Sequence, residues 1–168
     1  HPLPSASFTA SSVCQGIATT FTDNSTVASP DNITTYYWDF QHNGIFAADA
    51  TTNIGSSSFT YPTTYSGLSA LVVSTNHGCS DTTTLNVNVN SIPNADFTFS
   101  NVCLGLPNQF SSTSSNTTGA ITQTLWDFNY PSSSVASGIN VSNTYSLDGT
   151  YPVELLVISA NGCRDSVI

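Results

Sequence analysis

Apolar and polar residues alternate in steps of two over much of this chain. Across TLNVNVN (84–90), Leu85, Val87 and Val89 fall on one face and Asn86 and Asn88 on the other, the period of a half-buried strand. Across YYWDF (36–40), Tyr36, Trp38 and Phe40 alternate with Tyr37 and Asp39. SALVVS (69–74) and VELLVIS (153–159) are short apolar runs of buried-strand length. No segment sustains a helical period, and Gly, Pro, Asn and Ser interrupt the pattern at short intervals. Short strands at this spacing predict an all-β protein of antiparallel sandwiches, about seven strands to a unit.

The same pattern occurs twice. ASFTASSVCQGIATTFTDNST matches ADFTFSNVCLGLPNQFSSTSS at an offset of 89 residues, pairing Phe8 with Phe97, Cys14 with Cys103, Gly16 with Gly105 and Phe21 with Phe110. Trp38-Asp39-Phe40 pairs with Trp126-Asp127-Phe128 at 88, and NHGCSDT with ANGCRDS at 84. The chain is therefore a tandem duplication. The junction NSIPNADF places Pro93, which cannot donate to a ladder, at the entry to a strand. Two sandwiches are expected, over 1–91 and 92–168. Copy one runs on through TTTLNVNVN, whereas copy two reaches Ile168 before any such alternation. The second sandwich is thus expected to lack its last strand or to receive it in trans, and the chain reads as a section of a longer array.

Composition narrows the partners. Only 7% of the 168 residues are charged, and Arg164 is the single cation against ten carboxylates, for a net charge of −9. Ser and Thr occupy 51 positions, so hydroxyls rather than ions solvate the surface. Phosphate neutralisation needs Lys and Arg, which argues against nucleic acid, and an anionic membrane surface is disfavoured likewise. No apolar run reaches membrane-spanning length, and no signal-peptide pattern is present.

Each copy holds two cysteines, Cys14 and Cys79, then Cys103 and Cys163. An even count per unit reads as a disulfide framework, which implies an exported protein. Repeat symmetry favours Cys14–Cys79 with Cys103–Cys163, each closing a loop worth about 4 kcal/mol in the chain-entropy model. Tyr61 and Tyr145 stand at matching places before the penultimate strand. There a tyrosine hydroxyl can return to the backbone, as in immunoglobulin-like sandwiches; a plain buried aromatic is the other reading.

These residues carry a family likeness. LWDFN followed by NTYSLDGTYPVELLV in the second copy resembles the Trp-Asp-Phe strand and Tyr…Gly-x-Tyr-x-Val pattern of PKD (polycystic kidney disease) domains, and each repeat is similar to one. VCLGLPNQF with NGCRDS resembles the Cys-bearing variety found in surface and secreted proteins of gliding bacteria that use type IX secretion. The resemblance implies immunoglobulin-like sandwiches at an extracellular or cell-surface location. The Gly-Asp-Gly that usually follows Trp-Asp-Phe is replaced by Gln41-His42-Asn43 and Asn129-Tyr130-Pro131. The resemblance also implies O-glycans at Thr82 and Ser166. Asp81-Thr82-Thr83 and Asp165-Ser166-Val167 are similar to the Asp-Ser/Thr-aliphatic motif of such bacteria, although a strand that opens on Asp-Thr for structural reasons would read the same.

Little in the chain suggests catalysis. His1, His42 and His77 are scattered, and none matches a His in the other copy. A general base could be assembled from His42 beside Asp39, but solvated loop histidines are the plainer reading, and no enzyme is expected. Asp39 and Asp127, on the strand face opposite Trp38 and Trp126, could accept from N–H groups of a neighbouring turn. They could instead ligate Ca²⁺ with Asp23, Asp31 or Asp49; the structural reading is preferred, and no cofactor is expected. Trp38 and Trp126 alternate as core residues, which leaves Tyr37 and Tyr130 as candidates for sugar stacking. Asn24, Asn32, Asn116 and Asn140 stand in Asn-x-Ser/Thr sequons. The expected function is that of a non-catalytic structural or adhesive module, stacked head-to-tail on neighbouring repeats or subunits as a stalk or filament. The alternative is a carbohydrate-binding accessory module of a secreted hydrolase, with surface glycans as ligands.

Overall fold

Where the two-residue alternation places large apolar side chains on one face, the chain forms strands that bury that face. The computed structural model describes residues 1–131 and 135–168, and the chain divides into two compact units, 1–89 and 90–168. All regular structure among the described residues is strand, and no helix is long and apolar enough to cross a membrane.

The first unit contains β1 (Phe8–Ala10), β2 (Val13–Cys14), β3 (Ala18–Asp23), β4 (Ile33–His42), β5 (Ala50–Thr52), β6 (Ser56–Thr60), β7 (Tyr65–Thr75) and β8 (Ser80–Asn90). They form a three-stranded sheet in the order β1-β3-β6 and a five-stranded sheet in the order β2-β8-β7-β4-β5. The second unit contains β9 (Phe97–Phe99), β10 (Pro107–Ser112), β11 (Ile121–Asp127), β12 (Val135–Ser137), β13 (Asn140–Thr144), β14 (Glu154–Ser159) and β15 (Arg164–Val167). Its sheets run β13-β10-β9 and β12-β11-β14-β15. Both units are immunoglobulin-like sandwiches.

Trp38 on β4 and Trp126 on β11, both interior strands, sit between the two sheets. Trp38 and Trp126 are fully buried. Phe8 meets Trp38 edge-on at 5.4 Å, as Phe97 meets Trp126 at 5.2 Å. Phe40 stacks parallel to Trp38 at 6.5 Å, and Phe128 to Trp126 at 6.4 Å. Edge-to-face and offset arrangements of this kind suit the ring quadrupole. The copies differ at the indole N–H. Trp126 Nε1 donates to the Gly138 carbonyl at 2.9 Å, whereas Trp38 Nε1 is buried without a partner, a desolvation cost of about 1–3 kcal/mol.

Both tyrosines turn their hydroxyls back to the strand that bears the tryptophan. Tyr61 Oη donates to the Phe40 carbonyl at 2.6 Å, and Tyr145 Oη to the Phe128 carbonyl at 3.0 Å. Tyr65 stacks on Tyr61, and Tyr151 on Tyr145. Burial pushes the Tyr61 and Tyr145 phenols above the ordinary tyrosine range. The fold therefore favours the protonated hydroxyl. That contribution is complete below about pH 10, the unfolded value, and is lost as pH rises through the raised folded value.

Two outcomes are expected. Tyr61→Phe and Tyr145→Phe should each cost about 1 kcal/mol in urea unfolding; Tyr61→Phe should lie at the low end, because Ser69 Oγ still donates to Phe40 O at 2.8 Å. Above about pH 10 the parent should lose stability more steeply than Tyr61→Phe. Parallel pH curves for the two proteins would contradict the account.

Candidate functional site

The cysteines occupy fixed places in each sandwich. In the first unit, Cys14 opens the turn in which its carbonyl accepts from Ile17 N and Gly16 N donates to the Tyr61 carbonyl. Tyr61 stacks on Tyr65, the first residue of β7. Cys79 lies at the other end of β7, where its carbonyl accepts from Thr75 N at 2.9 Å. The eleven residues of β7 span roughly 35 Å. In the second unit Cys103 lines a cleft with Tyr145 and Tyr151, while the Cys163 carbonyl accepts from Ser159 N at the far end of β14. A disulfide requires Cα atoms within about 7 Å. The expected pairs Cys14–Cys79 and Cys103–Cys163 are therefore corrected, because the two cysteines of a repeat lie at opposite ends of its sandwich. Cys14 and Cys163 are each disulfide-bonded; Cys79, half-buried, and Cys103, exposed, are free thiols.

Asp39, on the strand face opposite Trp38, is buried. Its Oδ2 accepts from Ala47 N at 3.2 Å and lies 2.9 Å from His42 Nδ1, so the pair closes the loop between β4 and β5. Asp49 Oδ2 accepts from Phe40 N at 2.8 Å across the same loop. Asp127 Oδ1 accepts from Asn129 N at 3.0 Å. Asp23 Oδ1 is engaged by the Ser25 amide and hydroxyl. These carboxylates cap turns, each with its own partners.

A different cluster forms at the Cys79 end of the first unit. His1 Nδ1 and His77 Nδ1 lie 3.3 and 3.1 Å from the same oxygen, Asp31 Oδ1, and the two imidazoles stack at 3.7 Å. Asp31 is buried, and its Oδ2 has no partner. Sequence spacing gives no hint of this cluster, since its members stand 30 and 46 residues apart. The available signal lies in the differences between copies: at the matching offsets the second repeat carries Asn90, Gly119 and Asn161.

Trp38 and Trp126 are core residues and present no face to a ligand. Tyr37 is half-buried in the first unit, and Tyr130 is exposed in the second. Thr82 and Ser166 are exposed on β8 and β15. The aspartate before each anchors backbone, since Asp81 Oδ2 accepts from Ala6 N and Asp165 Oδ2 from Ala95 N, both at 2.8 Å. Asn24, Asn32 and Asn140 are exposed, whereas Asn116 donates to the Thr118 and Gly119 carbonyls at 2.7 and 3.1 Å.

The cleft at the Cys103 end of the second unit measures about 600 Å³ and is lined by Phe97, Phe99, Leu104, Leu106, Leu147 and Ile168, among others. Most of these are exposed. In the first unit, Val87 and Val89 from the second half of β8 are buried against Phe8, Phe21 and Tyr61. The expectation that the second sandwich lacks its last strand is corrected: β15, Arg164–Val167, pairs with β14, and although it is shorter than β8 its Val167 packs against the second core.

Comparison with known proteins agrees with this geometry. Residues 90–168, the second unit, match the family model of the PKD domain. Among solved structures, the chain is similar to the PKD1 domain of the Vibrio cholerae metalloprotease PrtV, with 28% identity over 52% of this chain and 96% of that one and a TM-score of 0.41. It is similar to the PKD1 domain of Vibrio anguillarum Epp at 23% identity, covering 52% and 93%, with a TM-score of 0.41. An I-band fragment of titin aligns with 99% of this chain and 64% of its own length at 15% identity and a TM-score of 0.52, a likeness of fold alone. No curated protein matches the chain in sequence.

If Asp81 and Asp165 tie the entering chain to the last strand, Asp165→Asn should lower stability by about 1–2 kcal/mol, since the amide oxygen still accepts but without charge. Asp165→Ala should cost more. Chemical denaturation measures both, and an unchanged midpoint for Asp165→Ala would remove the structural account of this aspartate.

Proposed function

We propose that this chain is a non-catalytic structural or adhesive module of a long extracellular protein, whose repeats are coupled in series through sulfur. The observation that carries the reading is the placement of the two cysteines at opposite ends of each sandwich. A bond within one repeat is out of reach, so a cysteine in either position needs a partner from another copy. Cys14 and Cys163, one from each position, are each disulfide-bonded. Their repeat counterparts are Cys103 and Cys79, the two free thiols. On this reading Cys79 takes a cysteine of the Cys103 kind from a further copy, and Cys103 takes one of the Cys79 kind. Such cystines require an oxidising compartment, in keeping with an extracellular PKD-type sandwich. The hydroxyl-rich surface leaves Thr82 and Ser166 open to O-glycans, and a type IX-secreted stalk or filament is the form that serial repeats would build. The sugar-binding alternative gains nothing from the two tryptophans, which belong to cores, and would rest on the exposed Tyr130.

Each new link joins two thiols as one disulfide, while an oxidant such as oxidised glutathione is reduced to two thiols. With that oxidant the 168-residue protein should give a ladder of covalent multimers on a non-reducing gel. Cys79→Ser retains only the Cys103 thiol, and Cys103→Ser only that of Cys79. Mixed, the two variants should yield chiefly the heterodimer, identified by a Cys79–Cys103 peptide in mass spectrometry. Predominant symmetric dimers, or a parent that stays monomeric with glutathione on both cysteines, would refute serial coupling.

A further inference from the structure

We infer that His1, Asp31 and His77 form a binding site for a first-row divalent cation of the zinc type, independently of the serial coupling proposed above. The three side chains come from the start of the chain, the segment before β4 and the hairpin between β7 and β8, all within the first unit. Their candidate ligand atoms lie within 4.8 Å of one another.

The distances favour an ion over a plain pair of hydrogen bonds. Both Nδ1 atoms converge on one oxygen, at 3.3 and 3.1 Å, long for hydrogen bonds that a carboxylate should shorten. A tetrahedral ion with bonds of about 2.0–2.2 Å sets its ligands about 3.3–3.6 Å apart, close to the separations seen. The second carboxylate oxygen, Asp31 Oδ2, is buried with no partner, although a buried carboxylate ordinarily fills both oxygens. A cation between the imidazoles and the carboxylate would engage that group once the two rings turn out of their parallel stack, since each nitrogen lone pair lies in its ring plane.

Chemistry selects the ion. Two imidazole nitrogens and one carboxylate oxygen suit zinc and its neighbours, copper and nickel. Calcium takes oxygen ligands and has little use for imidazole. The chain's charge of −9 raises the local concentration of any cation. Three protein ligands leave a fourth position for water or for a group from a partner. The second repeat, with Asn90, Gly119 and Asn161 at the matching positions, has no such set, so one ion per chain is expected.

The test uses the 168-residue protein freed of metal with a chelator and titrated with zinc chloride. Calorimetry should give one site per chain. In ¹⁵N-resolved spectra of the histidine rings, the Nδ1 signals of His1 and His77 should move on zinc addition, while those of His42 stay. Calcium should move none of them. His77→Asn, which installs the residue found in the second repeat, should weaken zinc binding at least tenfold, whereas His42→Asn should leave it unchanged. His77 is partly exposed, so its replacement should leave the fold intact, which circular dichroism verifies. Unshifted His1 and His77 rings at saturating zinc, or undiminished binding by His77→Asn, would overturn the proposal.

Discussion

Each repeat is organised by a tryptophan on an interior strand of one sheet, packed against phenylalanines from both sheets. Trp38 sits among Phe8, Phe21 and Phe40, and Trp126 among Phe97, Phe110 and Phe128, at nearly the same distances and tilts. Because side chains alternate along a strand, burying the indole fixes its neighbours. The following aspartate faces away from the core, toward the loop it caps. The carbonyl of the next phenylalanine is held where the tyrosine hydroxyl reaches it. The polar features of this region depend on that apolar choice.

Much of this is legible in the sequence because it depends on local alternation and on duplication. The strands around Trp38 and Trp126, the apolar runs of β7 and β14, and the two tyrosines all follow from the order of residues alone. What stays hidden depends on which end of a strand a residue occupies. Cys14 and Cys79 look like natural partners by symmetry, but symmetry says only that the copies are alike; β7 keeps these two residues apart. Alternation sets Asp39 on the face opposite Trp38, but does not show that the loop over 43–49 folds back to cover it. His1, Asp31 and His77 meet because two turns and the entering segment converge at one end of a sandwich, and no spacing in the chain records that convergence.

The two copies share their interiors and differ at their ends. Core aromatics, tyrosine bonds and the aspartates that receive Ala6 N and Ala95 N recur in both. The turns do not: the first repeat places histidines and an aspartate where the second has Asn and Gly. A sandwich closed by its own aromatics leaves its turn residues free to take up separate roles.

The ordering of β2 beside β8 bears on mechanics. Cys14 ends β2, and Cys79 immediately precedes β8. Tension applied between those two sulfurs would be carried across the ladder that β2 shares with β8. Bonded at both positions, such a repeat would resist stretching as a body before its sheets began to part.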